Sequence, residues 1–282
     1  MRSSLRILTL LLAVWLLTGC GVKTAYNNAD WLVMRWVNDR VSLTSVQERE
    51  LRDSIEANLA WHCASELPDY AAFLRQVDAD VRAGRVDERT IESYGEQVSD
   101  FGRRLLQRVR PSLIELLASL DDKQVAELVA SFEQRNLELA EEAEAYADDH
   151  SAEKRVEGME KGIRRFSGRL TDEQRERLRS WAARLHDTTG MALEQRLKWQ
   201  AEFQRVMLLR QDRERFEAAM AALLQPDLFV TEALEQQREY NRAHTIETMA
   251  DIHGMAPDRQ IQRLRNNLTD FSSDLEQLSC SS

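Results

Sequence analysis

Five histidines, three cysteines and a dense set of carboxylates are the residues of this chain able to do chemistry. His62, His150, His186, His244 and His253 stand far apart. None falls in the HExxH spacing that sets two imidazoles on one helical face for a metal ion. His62 and Cys63 form one adjacent pair, too few donors for a metal site. No GxSxG nucleophile elbow, phosphate-cradling glycine loop or EF-hand loop occurs. No catalytic residue, metal ion or small-molecule substrate is therefore expected, and the chain reads as a non-enzyme. From Glu138 to Glu153 there are seven acids and no Lys or Arg: Glu138, Glu141, Glu142, Glu144, Asp148, Asp149 and Glu153. Such a run usually solvates a helix face; the alternative is a docking surface for a basic partner or a loose cation site. Arg103, Arg104, Arg108 and Arg110 form an opposite cluster, expected to pair with that acidic stretch.

The remaining chemistry lies at the N-terminus. Arg2 and Arg6 precede an apolar run from Ile7 to Leu17, interrupted by Thr9. That run is too short to span a bilayer but suits the h-region of a signal peptide. Leu17-Thr18-Gly19-Cys20 follows at once and resembles the lipobox of bacterial lipoproteins, where small residues precede an obligatory cysteine. The resemblance implies removal of residues 1–19, a thioether-linked diacylglycerol on the Cys20 sulfur and an acyl chain on its amine. Several acyl chains together hold a protein firmly to a membrane. Residue 21 is Gly, not the Asp that marks inner-membrane retention in enterobacteria-like sorting, so the expected address is the outer membrane, facing the periplasm. Cys63 and Cys280 then remain in a compartment that permits disulfides. A bond between them would clip the C-terminal tail to the end of the first long helix. The alternative is one buried inert thiol and one frayed tail thiol.

Those residues must be positioned by helices. Of the 282 residues, 43% are hydrophobic and 30% charged, with ten glycines and four prolines, and the mean hydropathy is -0.51. This is the profile of amphipathic helices with charged outer faces. One short pattern recurs. It reads Leu43-Thr44 with Gln47 and Leu51, Leu120-Asp121 with Gln124 and Leu128, and Leu170-Thr171 with Gln174 and Leu178. A degenerate copy is Ala256-Pro257 with Gln260 and Leu264. The first three are capping boxes, in which Thr or Asp accepts an N–H of the first turn and Gln reaches back. Pro257 suits a first helical position. The intervals between copies are unequal, so they mark helix starts of similar entry geometry and no solenoid repeat.

Apolar residues after each start follow helical spacing. Val125, Leu128, Val129 and Phe132 share a stripe, as do Leu178, Trp181, Ala182 and Leu185. Ile261, Leu264, Leu268, Phe271, Leu275 and Leu278 alternate three and four apart, a coiled-coil-like seam expected to be buried within the molecule. Breaks are expected at Leu67-Pro68, Ala83-Gly84, Arg110-Pro111, Gly168, Gly190 and Gln225-Pro226-Asp227. Near the expected anchor, Tyr26, Trp31 and Trp36 cluster on a short helix capped by Asn28 or Asp30, whose apolar face is expected to hold Trp31, Met34 and Val37 or Val41. These rings are expected to plug one end of the core; the alternative is a membrane-interface belt.

Several runs also resemble an uncharacterised family of proteobacterial helical lipoproteins, known only as a domain of unknown function. They are Tyr26-Asn-Asn-Ala-Asp-Trp31, Arg35-Trp36, Leu43-Thr44 with Gln47, Trp61-His62 before Glu66-Leu67-Pro68, Gly168 to Gln174, and Trp199-Gln200. The Leu-Thr-x-x-Gln boxes at Leu43, Thr44, Gln47 and at Leu170, Thr171, Gln174 are similar to those of CpxP/Spy-type periplasmic chaperones. Those are about half this length, usually soluble, and hold unfolded clients on a concave face.

The expected protein is all-α: an elongated irregular bundle or array of about nine helices with no significant sheet. Residues 1–19 form the signal peptide, 20–42 the anchored segment and 43–282 one helical domain. The net charge of -10, about -12 once Arg2 and Arg6 are removed, argues against nucleic acid and against broad electrostatic adhesion to anionic lipid. The expected role is a protein-interaction or envelope-assembly module with another envelope protein as partner and no cofactor beyond the lipid on Cys20. The alternative is a lipid-tethered chaperone. An exposed apolar stripe along the box helices would mark the chaperone, and a closed core with a charged surface would mark the specific adaptor.

Overall fold

The structure, a computed structural model, describes residues 26–146, 151–225 and 228–278. It is all-helical, with no strand among these residues. The helices are α1 (Ala29–Asn38), α2 (Ser45–Trp61), α3 (Leu67–Arg82), α4 (Glu88–Ser119), α5 (Asp122–Tyr146), α6 (Ser151–Ser167), α7 (Asp172–Arg184), α8 (Thr189–Met207), α9 (Arg213–Leu223), α10 (Glu232–Gly254) and α11 (Asp258–Glu276). A π-helical turn, His62–Glu66, joins α2 to α3, so residues 45–82 run as one rod.

Two expected breaks are therefore absent, each for a physical reason. At Pro68 the ring occupies the first turn of α3, and the wider π-turn takes up the missing N–H. Pro111 lies inside α4, and both Pro111 and Gln107, whose carbonyl it leaves without a helical donor, are exposed. Water can satisfy that carbonyl while Ile114 and Leu117 hold the next turns in the core. The breaks at Gly84 and Gly168 do occur, with φ of 63° and 88°, a left-handed conformation that favours glycine. Gly190 sits in the first turn of α8, and the break falls just ahead of it.

α4 spans 32 residues, about 48 Å, and serves as a spine that α2, α9 and α10 all touch. The apolar faces close into three clusters. The largest gathers Val37 and Val41, Ile114, Leu117 and Leu120, Phe203, Val206 and Met207, and Phe216, Met220 and Leu223. Leu43, Leu51, Val125, Leu128 and Phe132, the stripes that follow the first two boxes, pack against it. The stripe of the third box, Leu170, Leu178, Trp181 and Ala182, meets Ile252 of α10 and the apolar side of α6. The seam of α11 is buried within the molecule. It lies antiparallel on α3, with Leu275 and Leu278 beside Cys63, Leu67 and Ala71, and Arg265 bonded to Asp78 at the far end.

Candidate functional site

The recurrent glutamines do more than cap helices: they pair. Thr44 and Thr171 complete reciprocal capping boxes with Gln47 and Gln174. In the second box Gln124 N donates to Asp121 Oδ1 at 2.8 Å, and Asp121 N donates to Gln124 Oε1 at 3.0 Å. Each cap orients its glutamine so that the side-chain amide faces another box. Gln47 Nε2 donates to Gln124 Oε1 at 3.1 Å, and Gln124 Nε2 donates back to Gln47 Oε1 at 2.7 Å. The second proton of each amide goes to a backbone carbonyl beside the partner helix, Ser119 O at 2.9 Å and Ser42 O at 2.8 Å. Gln174 and Gln260 form a second clasp of the same kind, with bonds of 2.9 and 3.0 Å. Their remaining protons reach Ile252 O and Arg169 O. All four glutamines are buried, Gln174 completely. Their amide protons are all bonded, so these buried polar groups carry no desolvation deficit and fix helix register instead. The degenerate copy is thus a full partner: Pro257 lacks the N–H that Gln260 Oε1 would otherwise accept, and Gln174 supplies the donor.

A second concentration of buried polar groups surrounds the π-turn. The extra residue in that turn directs His62, Cys63 and Glu66 all inward. Glu66 is 2% exposed and receives three hydrogen bonds from Arg104, at 2.8 to 3.2 Å. Arg104 also reaches Asp69 at 2.7 Å. The His62 ring stands 3.3 Å through Nδ1 from the Tyr26 hydroxyl, which donates to Leu59 O at 3.2 Å. Tyr26 stacks on the His62 ring, and Tyr70 meets it edge-on before contacting Phe101. Burial pushes the His62 imidazole down to about 4, opposed by the Glu66 charge, so the ring is neutral near pH 7. Burial also pushes the Tyr26 hydroxyl up to about 12. Both Glu66 oxygens are engaged by a guanidinium, which occupies the lone pairs a general base would use. The arrangement joins the first described residue, Tyr26, to the middle of the first rod and, through Cys63, to the end of α11. Cys63 is buried, with its sulfur 3.7 Å from Leu278 O.

The other sequence-predicted residues divide. Cys20 and Cys280 lie outside the described residues, as do Asp148, Asp149 and the side chains of Glu142 and Glu144. Glu138 and Glu141 are exposed, and Glu138 pairs with Arg135 at 2.6 Å. The basic cluster of α4 does not turn to that stretch where it is described. Arg103 pairs with Asp100, Arg104 with Glu66 and Asp69, and Arg108 lies over the Trp61 ring. Arg103 and Asp100 are three apart on one helix, and the deep Glu66 carboxylate is a closer and less solvated partner for Arg104. The expected aromatic plug also separates. Tyr26 is buried, whereas Trp31 is 54% and Trp36 41% exposed. Among the described residues no group of three or more His, Cys, Asp or Glu is arranged to hold a metal ion. No helix among them is long and apolar enough to cross a membrane.

The single motifs indicate a packed or capping His62, and the ring is buried, but they do not indicate the Glu66–Arg104 pair or the Tyr26 and Tyr70 rings around His62. The one signal was the run Trp61-His62 before Glu66-Leu67-Pro68, noticed as a resemblance without a role. Neither curated proteins nor solved structures yield a significant match to this chain. The model of a family of unknown function, DUF6279, matches residues 39–232, which include the first three boxes, the π-turn and Arg104. That match spans more than half of the chain, and the protein belongs to the DUF6279 family.

Proposed function

We propose that this protein is a periplasm-facing outer-membrane lipoprotein, anchored through acylated Cys20, which acts without catalysis by docking another envelope polypeptide. The observation that carries the choice of a specific adaptor over a general chaperone is the closure of the box helices. Leu120, Leu170 and Leu178 are 3%, 4% and 0% exposed, and the stripes behind them face internal clusters. A chaperone of the CpxP/Spy kind needs such a stripe open to clients. Here the outer faces carry charge, and the large exposed apolar side chains of the box helices, Val46 and Leu137, sit on different helices, α2 and α5. The acidic balance, -10 for the full chain and about -12 without Arg2 and Arg6, favours a partner with basic patches.

In-cell photo-crosslinking from Leu137, Leu197 and Leu208, with mass spectrometry of the adducts, tests the reading. One or two discrete adducts support the adaptor. A broad smear of periplasmic and outer-membrane clients that grows under envelope stress would replace it with the tethered chaperone.

A further inference from the structure

We infer that α1 is a membrane-facing surface, laid on the phospholipid headgroups by Trp31, Arg35, Trp36 and Arg40; this rests on the lipid-anchored reading of Cys20. The helix has two unlike sides. Met34 and Val37 are buried, and Val37 and Val41 belong to the largest core cluster, which fixes α1 to the body of the protein. Trp31, Arg35 and Trp36 are exposed on the other side. At 3.6 residues per turn the two indoles lie about 140° apart and straddle the line opposite the buried residues.

Each indole carries a guanidinium. Arg35 lies 5.4 Å from the Trp31 ring centroid and Arg40 lies 4.0 Å from that of Trp36. Indole rings prefer the depth of the headgroups, where one edge is apolar and the other wet. Guanidinium groups held over those rings are placed to bond lipid phosphates.

The length of chain ahead of the structure names the occupant. Six residue steps separate Cys20 from Tyr26, and they reach roughly 20 Å when fully extended. The Tyr26 hydroxyl is fastened to Leu59 and His62, so α1 begins at a fixed point within that reach. An acyl group in the bilayer therefore holds the outer side of α1 close to the headgroups. A soluble protein partner would have to enter the same narrow space.

The test uses the mature acylated protein reconstituted in vesicles of phosphatidylethanolamine and phosphatidylglycerol with brominated acyl chains. Five tryptophans remain once Trp15 leaves with the signal peptide, and Trp61, Trp181 and Trp199 pack within the fold. The expected result is a bromolipid-quenched fluorescence component that is lost in the W31F/W36F variant, with the helical circular dichroism unchanged. Quenching that persists in that variant, or is absent from the wild type, overturns the membrane face. Protection of Trp31 and Trp36 from aqueous iodide without bromolipid quenching also overturns it, and assigns the surface to a protein or a second copy. The mass of the N-terminal peptide separates the two ideas. An unacylated Cys20 removes the anchor and this surface with it, whereas an acylated Cys20 beside unquenched indoles removes the surface alone.

Discussion

Gln47 and Gln124, 77 residues apart in sequence, exchange two side-chain hydrogen bonds in the interior, and Gln174 and Gln260, 86 apart, repeat the exchange. Each clasp ties the start of one helix to the start of another: α2 to α5, and α7 to α11. Because each amide also donates to a backbone carbonyl by the partner helix, the pair fixes rotation as well as position. A leucine at these sites would bury as much surface without specifying a register.

The first prediction concerns that coupling. Removal of one amide orphans a buried donor or acceptor on its partner, at about 1–3 kcal/mol per group. Gln47→Ala also removes the bond to the Thr44 N–H, so a loss of about 3 kcal/mol is expected. Gln47→Ala and Gln124→Ala together should cost clearly less than their sum, because the double variant leaves neither amide behind. Urea unfolding followed by circular dichroism measures the cycle, and simple additivity would mean that the clasp is not a unit.

The second prediction concerns acid. His62 has its protonation held down to about 4 in the folded protein, whereas in the unfolded chain it titrates near its ordinary value of 6.5. Between these values the unfolded chain binds the extra proton, so stability rises with pH. The contribution is complete above about pH 6.5 and falls as the pH drops toward 4, by about 3 kcal/mol. His62→Gln should flatten that slope, even if it lowers stability at pH 7 by losing ring contacts. An equal slope in the variant would place the acid sensitivity elsewhere, with the half-buried His253, which burial also lowers, as the next candidate.

What the sequence made legible was local. Thr44, Asp121 and Thr171 cap as expected, because capping boxes depend on residues three apart. The stripes of α5, α7 and α11 face the interior, wholly or partly buried, because their periodicity allows one stable orientation. What it hid depends on partners far along the chain. Nothing near Gln47 indicates Gln124, and the unequal intervals between boxes obscured that they act two by two. The prolines misled for a related reason: Pro68 is absorbed by a π-turn and Pro111 by an exposed helix face, and both need the tertiary surroundings to be recognised. Tyr26 and Trp31 read alike as aromatic residues near the N-terminus, yet only Tyr26 has His62 to meet.

The third prediction separates a structural ion pair from surface ones. Arg104→Ala leaves the Glu66 carboxylate, 2% exposed, without its guanidinium and should cost about 2 kcal/mol; the exposed side of Arg104 admits water and limits the loss. Arg103→Ala breaks only an exposed pair with Asp100 and should be near neutral. Replacing Glu66 and Arg104 together by Gln and Met should recover much of the Arg104→Ala loss. Thermal unfolding of the three variants decides: equal Tm shifts for Arg103→Ala and Arg104→Ala would deny the buried pair any special weight.

The last prediction concerns the C-terminal end. Cys63 is buried beside Leu278, and Cys280 follows two residues later. At the periplasmic address proposed above, the two thiolates are expected to lose two electrons to a dithiol–disulfide oxidoreductase and form one disulfide. The loop closed by that bond would cover most of the chain, so the cross-link would restrain the unfolded state by on the order of 5 kcal/mol, an upper figure. It would also hold α11 against α3 at the end where Leu275 and Leu278 meet Leu67. Quantitative alkylation of the non-reduced, acylated protein should find no free thiol, and reduction should release two per chain with a fall in Tm. Two alkylated thiols before reduction would show that packing alone, without a covalent clip, holds the last helix in place.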